Sequence, residues 1–284
     1  MTMPEPEQQR PPREEEVWLC YRHPERKSGV RCRRCERPIC PECMIQASVG
    51  FQCPSCAKGG PPVRTLRSLR VDPYVTYAII AACVAVFLPS LAGGAAFGRG
   101  GSQLAADLAL DGPDVADGEW WRLVTSGFLH FGLIHIGFNM VILFQLGQML
   151  EPTLGRLRFG VLYATALLGG ALGVMVLDPN SLTAGASGAV YGLMGAAFLG
   201  MRRRGVDPMQ SGIGGLIVVN LFITFIIPGI SIGGHLGGLA AGAAAGAILF
   251  ATEEGDRRPV GLAACAALAA ALFLASLFVA ANPL

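Results

Sequence analysis

Seven apolar segments, each close to the length of a membrane-spanning helix, dominate the second part of this chain. They lie at about 74–91, 128–149, 158–177, 187–201, 212–230, 235–251 and 259–281. A helix needs roughly 20 apolar residues to cross the hydrocarbon core, and it bonds all of its backbone polar groups internally. Hydrophobic residues make up 52% of the chain and charged residues 15%. The sequence therefore predicts an all-α membrane protein.

The first 73 residues have a different composition, because they hold 13 of the 22 basic and 9 of the 20 acidic side chains. We expect residues 1–16, which are rich in Pro, Glu and Gln, to form a disordered tail. Residues 17–57 are then a small module and residues 58–73 a linker to the membrane domain. The net charge of +2 gives no reason to expect a nucleic-acid partner.

Four ligand pairs, each with two intervening residues, lie in the small module. They are Cys20 and His23, Cys32 and Cys35, Cys40 and Cys43, and Cys53 and Cys56. This spacing lets one turn present both side chains to one tetrahedral ion, and eight ligands suit two zinc ions. Disulfides are the alternative, but repeated Cys-x2-Cys pairs in a reducing compartment favour metal binding. Because closed four-ligand sites leave no position for chemistry, we expect a structural module that contacts a cytoplasmic protein partner.

The order of these pairs resembles the B-box-like cross-brace zinc fingers. The resemblance implies one ion at Cys20, His23, Cys40 and Cys43, and the other at Cys32, Cys35, Cys53 and Cys56. The final pair is Cys-Cys where B-boxes usually have His-His, so two sequential zinc knuckles stay open as an alternative.

Basic residues predict the orientation of the membrane domain. If the segments alternate in direction, ten arginines fall on one side: Arg64, Arg67, Arg70, Arg156, Arg158, Arg202, Arg203, Arg204, Arg257 and Arg258. The other side has Arg99 and Arg122. Since cytoplasmic loops carry an excess of Lys and Arg, we expect a cytoplasmic N-terminus and an external C-terminus, in a bacterial plasma membrane.

Two glycine-flanked polar residues, Ser187 and His235, lie at the beginning of the fourth and sixth segments. Alternating topology places both at the outer ends of their helices. Glycines four residues apart follow each of them, at Gly188 and Gly192 and at Gly234, Gly238, Gly242 and Gly246. Small residues at this spacing let helix backbones approach closely. A hydroxyl within hydrogen-bond reach of an imidazole is what nucleophilic catalysis requires.

The second segment brings His130, His135 and Asn139 to the same outer side. His135 and Asn139 share one helix face and have donors suited to an oxyanion, although such a pair taken alone is typical of helix packing. The predicted spans contain no Asp or Glu to complete a triad, so the sequence predicts a dyad. Asp178 lies in a loop, and we do not expect it to take part.

Together with Glu119-Trp120-Trp121-Arg122, these motifs resemble the signature of the rhomboid intramembrane serine proteases over residues 74–252. The resemblance implies a six-helix catalytic core at 74–252, with a seventh transmembrane helix in 253–284. It implies that Ser187 is the nucleophile and His235 the general base. It also implies an oxyanion hole at His135, Asn139 and the Ser187 N–H, a loop conformation that needs Gly185, and Tyr191 stacked on His235. The Trp121-Arg122 pair would be a structural element of the first loop.

The implied reaction is hydrolysis of peptide bonds in single-span membrane proteins within the lipid bilayer, without a catalytic cofactor. Two other functions are consistent with such a sequence. One is a catalytically silent rhomboid-like protein that binds membrane clients and recruits partners through its zinc module. The other is a transporter or channel, because polar groups in membrane helices often line pathways.

Overall fold

The structure is a computed structural model that describes residues 18–58, 71–92 and 103–283. The chain folds as two compact units, Met1–Arg70 and Val71–Leu284. The predicted tail, the linker residues 59–70 with their three arginines, and Arg99 lie outside the described residues.

The described part of the first unit, residues 18–58, contains three short antiparallel strand pairs, a 3-10 turn at Pro41–Cys43 and a short helix. β1 (Trp18–Leu19) pairs with β2 (Lys27–Ser28), β3 (Val30–Arg31) with β4 (Pro38–Ile39), and β5 (Ile45–Gln46) with β6 (Phe51–Gln52), followed by α1 (Pro54–Lys58). Five cysteines and Ile39 form its buried core. A core this small does not stabilise a fold alone, so the unit needs cross-links such as metal ions.

The described part of the second unit is helical. Its long helices are α2 (Tyr74–Ala92), α6 (Leu133–Leu154), α7 (Arg156–Leu177), α8 (Ser187–Arg203), α9 (Ile213–Ile226), α10 (Ile232–Ala251) and α11 (Arg258–Ala281). Between α2 and α6 lie three short helices: α3 (Gln103–Leu108), α4 (Gly112–Ala116) and α5 (Arg122–Thr125). Among the described residues, these seven long helices agree with the predicted membrane fold of six core helices and one additional C-terminal helix.

Length and surface character both indicate a membrane protein. Among the described residues, α6, α7, α10 and Gly255–Ala281 are long and apolar enough to cross a bilayer, and Tyr74–Ser90 and α9 are shorter apolar helices. Large apolar side chains are exposed along these helices, including Ile134 at 85% and Phe278 at 70%. Surfaces of this kind are stable in lipid and not in water. The chain is therefore an integral membrane protein.

The second long helix differs from the prediction at both ends. α6 begins at Leu133 and ends at Leu154, whereas the apolar segment suggested 128–149. Glu151 consequently lies inside a helix, and the expectation that the spans contain no acid was wrong. Its carboxylate is fully buried because it accepts hydrogen bonds from the backbone N–H groups of Val75 and Thr76 and from the Thr76 hydroxyl, at 2.8 to 2.9 Å. It thereby caps the first turn of α2.

Glycines set the distance between α10 and its two neighbours, α7 and α8. A Cβ on Gly238 would lie 2.0 Å from the carbonyl oxygen of Gly188 in α8. A Cβ on Gly233 would lie 2.2 Å from the carbonyl oxygen of Gly173 in α7. The contact with α8 follows the predicted glycine spacing, whereas the contact with α7 was not foreseen. Backbone contact on both faces fixes the position of α10, which carries His235.

Candidate active site

Ser187 and His235 lie in hydrogen-bond contact at the beginning of two adjacent helices. Ser187 is the first residue of α8, and His235 lies in the first turn of α10. The Ser187 Oγ atom is 2.8 Å from the His235 Nε2 atom. The Ser187 hydroxyl does not cap α8, whose N-terminus has no side-chain cap. The hydroxyl is therefore free to bond to the imidazole.

Tyr191 covers one face of that imidazole. Its ring lies one turn further along α8 than Ser187 and is stacked on the His235 ring, with centroids 4.1 Å apart and planes inclined by 16°. Stacking fixes the plane of the imidazole, but it does not determine which ring nitrogen carries the proton.

Thr224 of α9 contacts the other nitrogen of the imidazole, a contact that the sequence analysis missed. Its Oγ1 atom lies 2.7 Å from His235 Nδ1 and 2.7 Å from the Tyr191 hydroxyl. It also donates a 2.8 Å hydrogen bond to the Asn220 carbonyl oxygen. The available signal was weak: Asn220 and Thr224 are two polar residues one helical turn apart in an apolar segment.

The loop before Ser187 is shaped by Gly185 and His130. Gly185 has a φ of +131°, and a Cβ there would lie 2.7 Å from His135 Nε2, so a side chain is excluded on both counts. Its N–H donates to the carbonyl oxygen of Ser126 at 2.9 Å. The Ala186 N–H donates to His130 Nε2 at 3.3 Å. These bonds hold the chain immediately before the serine.

His135 and Asn139 direct donors into the same region. The Phe131 N–H donates to His135 Nδ1 at 3.3 Å, so a neutral His135 carries its proton on Nε2, beside Gly185. The Asn139 amide donates one hydrogen to the His135 carbonyl oxygen at 2.9 Å and retains a second. Both side chains line the cavity that contains Ser187 and His235. The structure thus brings all six predicted site residues together.

That cavity has a volume of about 1040 Å³ and mostly apolar walls. None of its described lining residues is an Asp or Glu. Asp178 lies outside the lining, and its carboxylate accepts a 3.5 Å hydrogen bond from Ser231, the residue before α10. Asp178 therefore contacts the residue before the beginning of α10 and not the imidazole.

Arg122 organises the loop between α2 and α6. Its guanidinium is buried and lies 2.6 Å from Glu119 and 3.0 Å from Asp114. It also donates to the carbonyl oxygens of Ala106 and Ala109, at 2.6 and 2.8 Å. One cation thus joins α3, α4 and the start of α5, as expected for a structural element.

The first unit contains two groups of candidate metal ligands. Cys20, His23, Cys40 and Cys43 form one group, and Cys32, Cys35, Cys53 and Cys56 form the other, with the ligand atoms of each group within 4.8 Å of one another. The pairs alternate between the two groups along the chain. This grouping is that of a cross-brace and differs from two sequential knuckles.

The distances within these groups fit a tetrahedral ion. His23 Nδ1 lies 3.3 Å from Cys40 Sγ and 3.4 Å from Cys43 Sγ, and the Sγ atoms of Cys35 and Cys53 are 3.7 Å apart. A tetrahedral zinc ion separates two thiolates by about 3.8 Å, whereas a disulfide needs about 2.05 Å. A 3.3 Å hydrogen bond from Arg37 lowers the pKa of Cys35 to about 6, which favours the thiolate that binds metal.

In this helical membrane protein a serine hydroxyl is hydrogen-bonded to an imidazole, with further donors beside them, which is the arrangement that nucleophilic catalysis requires. Residues 117–252, a little under half of the chain, match the rhomboid domain. This matched region includes all six predicted site residues.

Some of the relatives that the chain matches are named as proteases, and others are named as rhomboid-like or rhomboid-related proteins. It is 34% identical over 167 residues to "Rhomboid protease GluP" of Bacillus subtilis, a match that covers 57% of this chain and 32% of that protein. It is 44% identical over 82 residues to "Putative rhomboid protease YdcA" of the same organism, covering 28% of this chain and 41% of that protein. It is 32% identical over 131 residues to "Rhomboid-like protease 1" of Toxoplasma gondii, covering 43% of this chain and 45% of that protein. The matches span less than half the length of each of these relatives.

Proposed function

We propose that this protein is an intramembrane serine endopeptidase in which Ser187 is the nucleophile and His235 the general base. The observation that carries the proposal is the 2.8 Å contact between Ser187 Oγ and His235 Nε2 inside a cavity of about 1040 Å³. A nucleophile must lie within about 2.6 to 3.2 Å of its base, and this pair does so without a bound substrate.

In the proposed mechanism, His235 Nε2 accepts the Ser187 proton as Oγ bonds to the scissile carbonyl carbon. The carbonyl oxygen becomes an oxyanion that accepts hydrogen bonds from His135 Nε2 and the Asn139 amide. The first N–H groups of α8 lack partners within their helix and add partial positive charge there. The C–N bond then breaks as His235 protonates the leaving amine. A water molecule, deprotonated by His235, hydrolyses the acyl ester and restores Ser187.

The proposed substrates are single-span membrane proteins. Two residues that line the cavity, Ile134 and Phe138, are also exposed on the apolar surface of α6, at 85% and 57%. An extended peptide from a neighbouring helix could therefore reach the serine without leaving lipid. The apolar cavity walls favour the same class of substrate, because a hydrophobic segment loses little on transfer from lipid to such a surface.

The first unit, in this proposal, binds two zinc ions that stabilise its fold, with no role in the chemistry. Each group provides four ligands and so leaves no open coordination position. We place this unit in the cytoplasm of a bacterial cell and the C-terminus outside the plasma membrane, because of the arginine distribution along the chain. A cytoplasmic protein is its proposed partner.

The test is cleavage of a labelled single-span substrate by purified protein in liposomes. Ser187→Ala and His235→Ala should reduce cleavage to background. Ser276→Ala is a matched control, since Ser276 is buried in α11 and bonds to the Leu272 carbonyl oxygen; it should retain full activity. Equal cleavage by the wild type and the Ser187 variant would refute the proposal.

A fluorophosphonate probe provides a second measurement. It should label the wild type and fail to label Ser187→Ala. A wild-type protein that binds intact substrate, but neither cleaves it nor reacts with the probe, would be a client-binding protein and not a protease.

A further inference from the structure

We infer that Thr224 is a positioning residue that holds His235 in the tautomer required for catalysis. The inference rests on the function proposed above. Thr224 is 2% exposed and contacts His235 at Nδ1, the nitrogen opposite the one that faces Ser187. It is not among the residues that line the cavity, so it acts through the imidazole and not on the substrate.

The hydrogen bonds around the Thr224 hydroxyl determine its donor and acceptor roles. A hydroxyl donates one hydrogen bond and accepts two. The Thr224 hydroxyl donates to the Asn220 carbonyl oxygen one turn earlier in α9, at 2.8 Å. With that hydrogen on the Asn220 carbonyl oxygen, the Tyr191 hydroxyl and His235 Nδ1, both 2.7 Å away, donate to the two acceptor positions of the Thr224 hydroxyl. All three positions of the hydroxyl are then satisfied.

Proton placement on the imidazole follows directly from this arrangement. If Nδ1 carries the hydrogen that is donated to Thr224, Nε2 of the neutral ring has a free lone pair. That lone pair faces the Ser187 hydroxyl at 2.8 Å and accepts its proton. In the opposite tautomer, Nε2 would carry the hydrogen and His235 could not act as a base toward Ser187. Thr224 thus has the orienting role that a carboxylate has in a triad, but without a charge.

Three substitutions separate this role from simple packing. Thr224→Val keeps the shape and removes the hydroxyl, whereas Thr224→Ser keeps the hydroxyl and removes a methyl group. Thr165→Val is a matched control, since Thr165 of α7 is also fully buried and donates a 2.8 Å hydrogen bond to the carbonyl oxygen one turn earlier, that of Val161. The Thr165 hydroxyl also lies 3.4 Å from the Cys265 carbonyl oxygen in α11, and it has no contact with His235 or Ser187 among the hydrogen bonds of the described residues.

Cleavage kinetics are the first measurement. We expect kcat of Thr224→Val to fall about 3- to 10-fold, the size of one neutral hydrogen bond, with KM unchanged. Thr224→Ser should recover most of the loss, and Thr165→Val should match the wild type. In Thr224→Val the Tyr191 hydroxyl loses its hydrogen-bond partner, and the double variant Thr224→Val/Tyr191→Phe removes that hydroxyl as well. Its kcat should stay low, because the lost contact is the one to His235.

The second measurement, which does not depend on activity, is 15N NMR of protein in micelles with 15N-labelled histidine side chains. The chain has four histidines, so the His235 signals are assigned by comparison with His235→Ala. Wild type should show protonated Nδ1 and unprotonated Nε2, and Thr224→Val should show a mixture. If Thr224→Val had the same kcat and the same His235 tautomer as the wild type, the inference would be overturned. A wild type without Ser187-dependent cleavage, in contrast, would overturn the proposed protease function while the NMR result still decides the role of Thr224.

Discussion

Replacing Gly238 by alanine should separate Ser187 from His235 without changing either residue. Gly238 lies one turn after His235 in α10, and it contacts Gly188, the residue after Ser187 in α8. A Cβ on Gly238 would lie 2.0 Å from the Gly188 carbonyl oxygen. The obstacle is backbone, which has no alternative rotamer, so the two helices must move apart.

The size of this movement follows from the contact distances. Real Cβ atoms essentially never come within 3.0 Å of another heavy atom, so the helices must separate by about 1 Å from the present 2.0 Å. The Ser187 to His235 distance, now 2.8 Å, would then widen to about 3.8 Å and exceed the hydrogen-bond range of about 3.2 Å. A displacement of about 1 Å costs on the order of 100-fold in rate, or about 2.7 kcal/mol.

The assay compares the cleavage rate of Gly238→Ala with those of two other Gly→Ala variants. Gly246→Ala would place a Cβ 2.7 Å from Ala196 Cβ, two turns deeper in the membrane domain, and should cause a smaller loss. Gly215→Ala in α9 introduces a Cβ with nothing within 4 Å and should leave the rate unchanged. Circular dichroism and gel filtration establish that each variant is folded. A folded Gly238→Ala with wild-type kcat would refute the reasoning.

Two further predictions concern stability and metal content. Glu151→Ala removes the acceptor of three hydrogen bonds from Val75 and Thr76. It should lower the free energy of unfolding, measured by denaturation in detergent, by about 2 to 5 kcal/mol. An unchanged Tm would contradict the capping role. Cys43→Ser should reduce the zinc content, measured by elemental analysis, from two ions to one per chain. Cys83→Ser, in the buried core of the membrane unit, should not change it. A wild type with far less than two zinc ions per chain would contradict the proposal of two zinc sites.

The helical membrane fold could be predicted because it depends on local properties of the chain. Apolar length alone identifies a membrane helix, and alternation of direction then places the beginnings of α8 and α10 on the same side. The glycine spacing after Ser187 and His235 predicted close backbone contact, and the structure has that contact at Gly188 and Gly238. The catalytic roles of these residues stay predictions, since geometry alone does not demonstrate a reaction.

Arg158 illustrates what the sequence could not provide. The sequence placed it only among the arginines on one side of the membrane, whereas in the structure it is 7% exposed and its guanidinium donates to the Leu249 carbonyl oxygen near the end of α10. Helix C-termini have carbonyl groups without partners and partial negative charge, so they attract an arginine that can reach them. Which helix end lies within reach depends on tertiary packing. The contacts of Glu151 with α2 and of Thr224 with His235 were missed for the same reason.

The neutral environment of His235 has a physical reason in the proposed mechanism. A buried carboxylate is stable where several donors surround it, as Glu151 is at the start of α2. Beside the catalytic pair, the corresponding donors are the first N–H groups of α8 and His135 Nε2, and these face the position of the oxyanion. A carboxylate on the imidazole would stabilise the imidazolium, but it would also repel an oxyanion a few ångströms away in a weakly screened cavity. A hydroxyl at Thr224 accepts the Nδ1 hydrogen without adding this repulsion, so the donors at the serine remain available for the transition state.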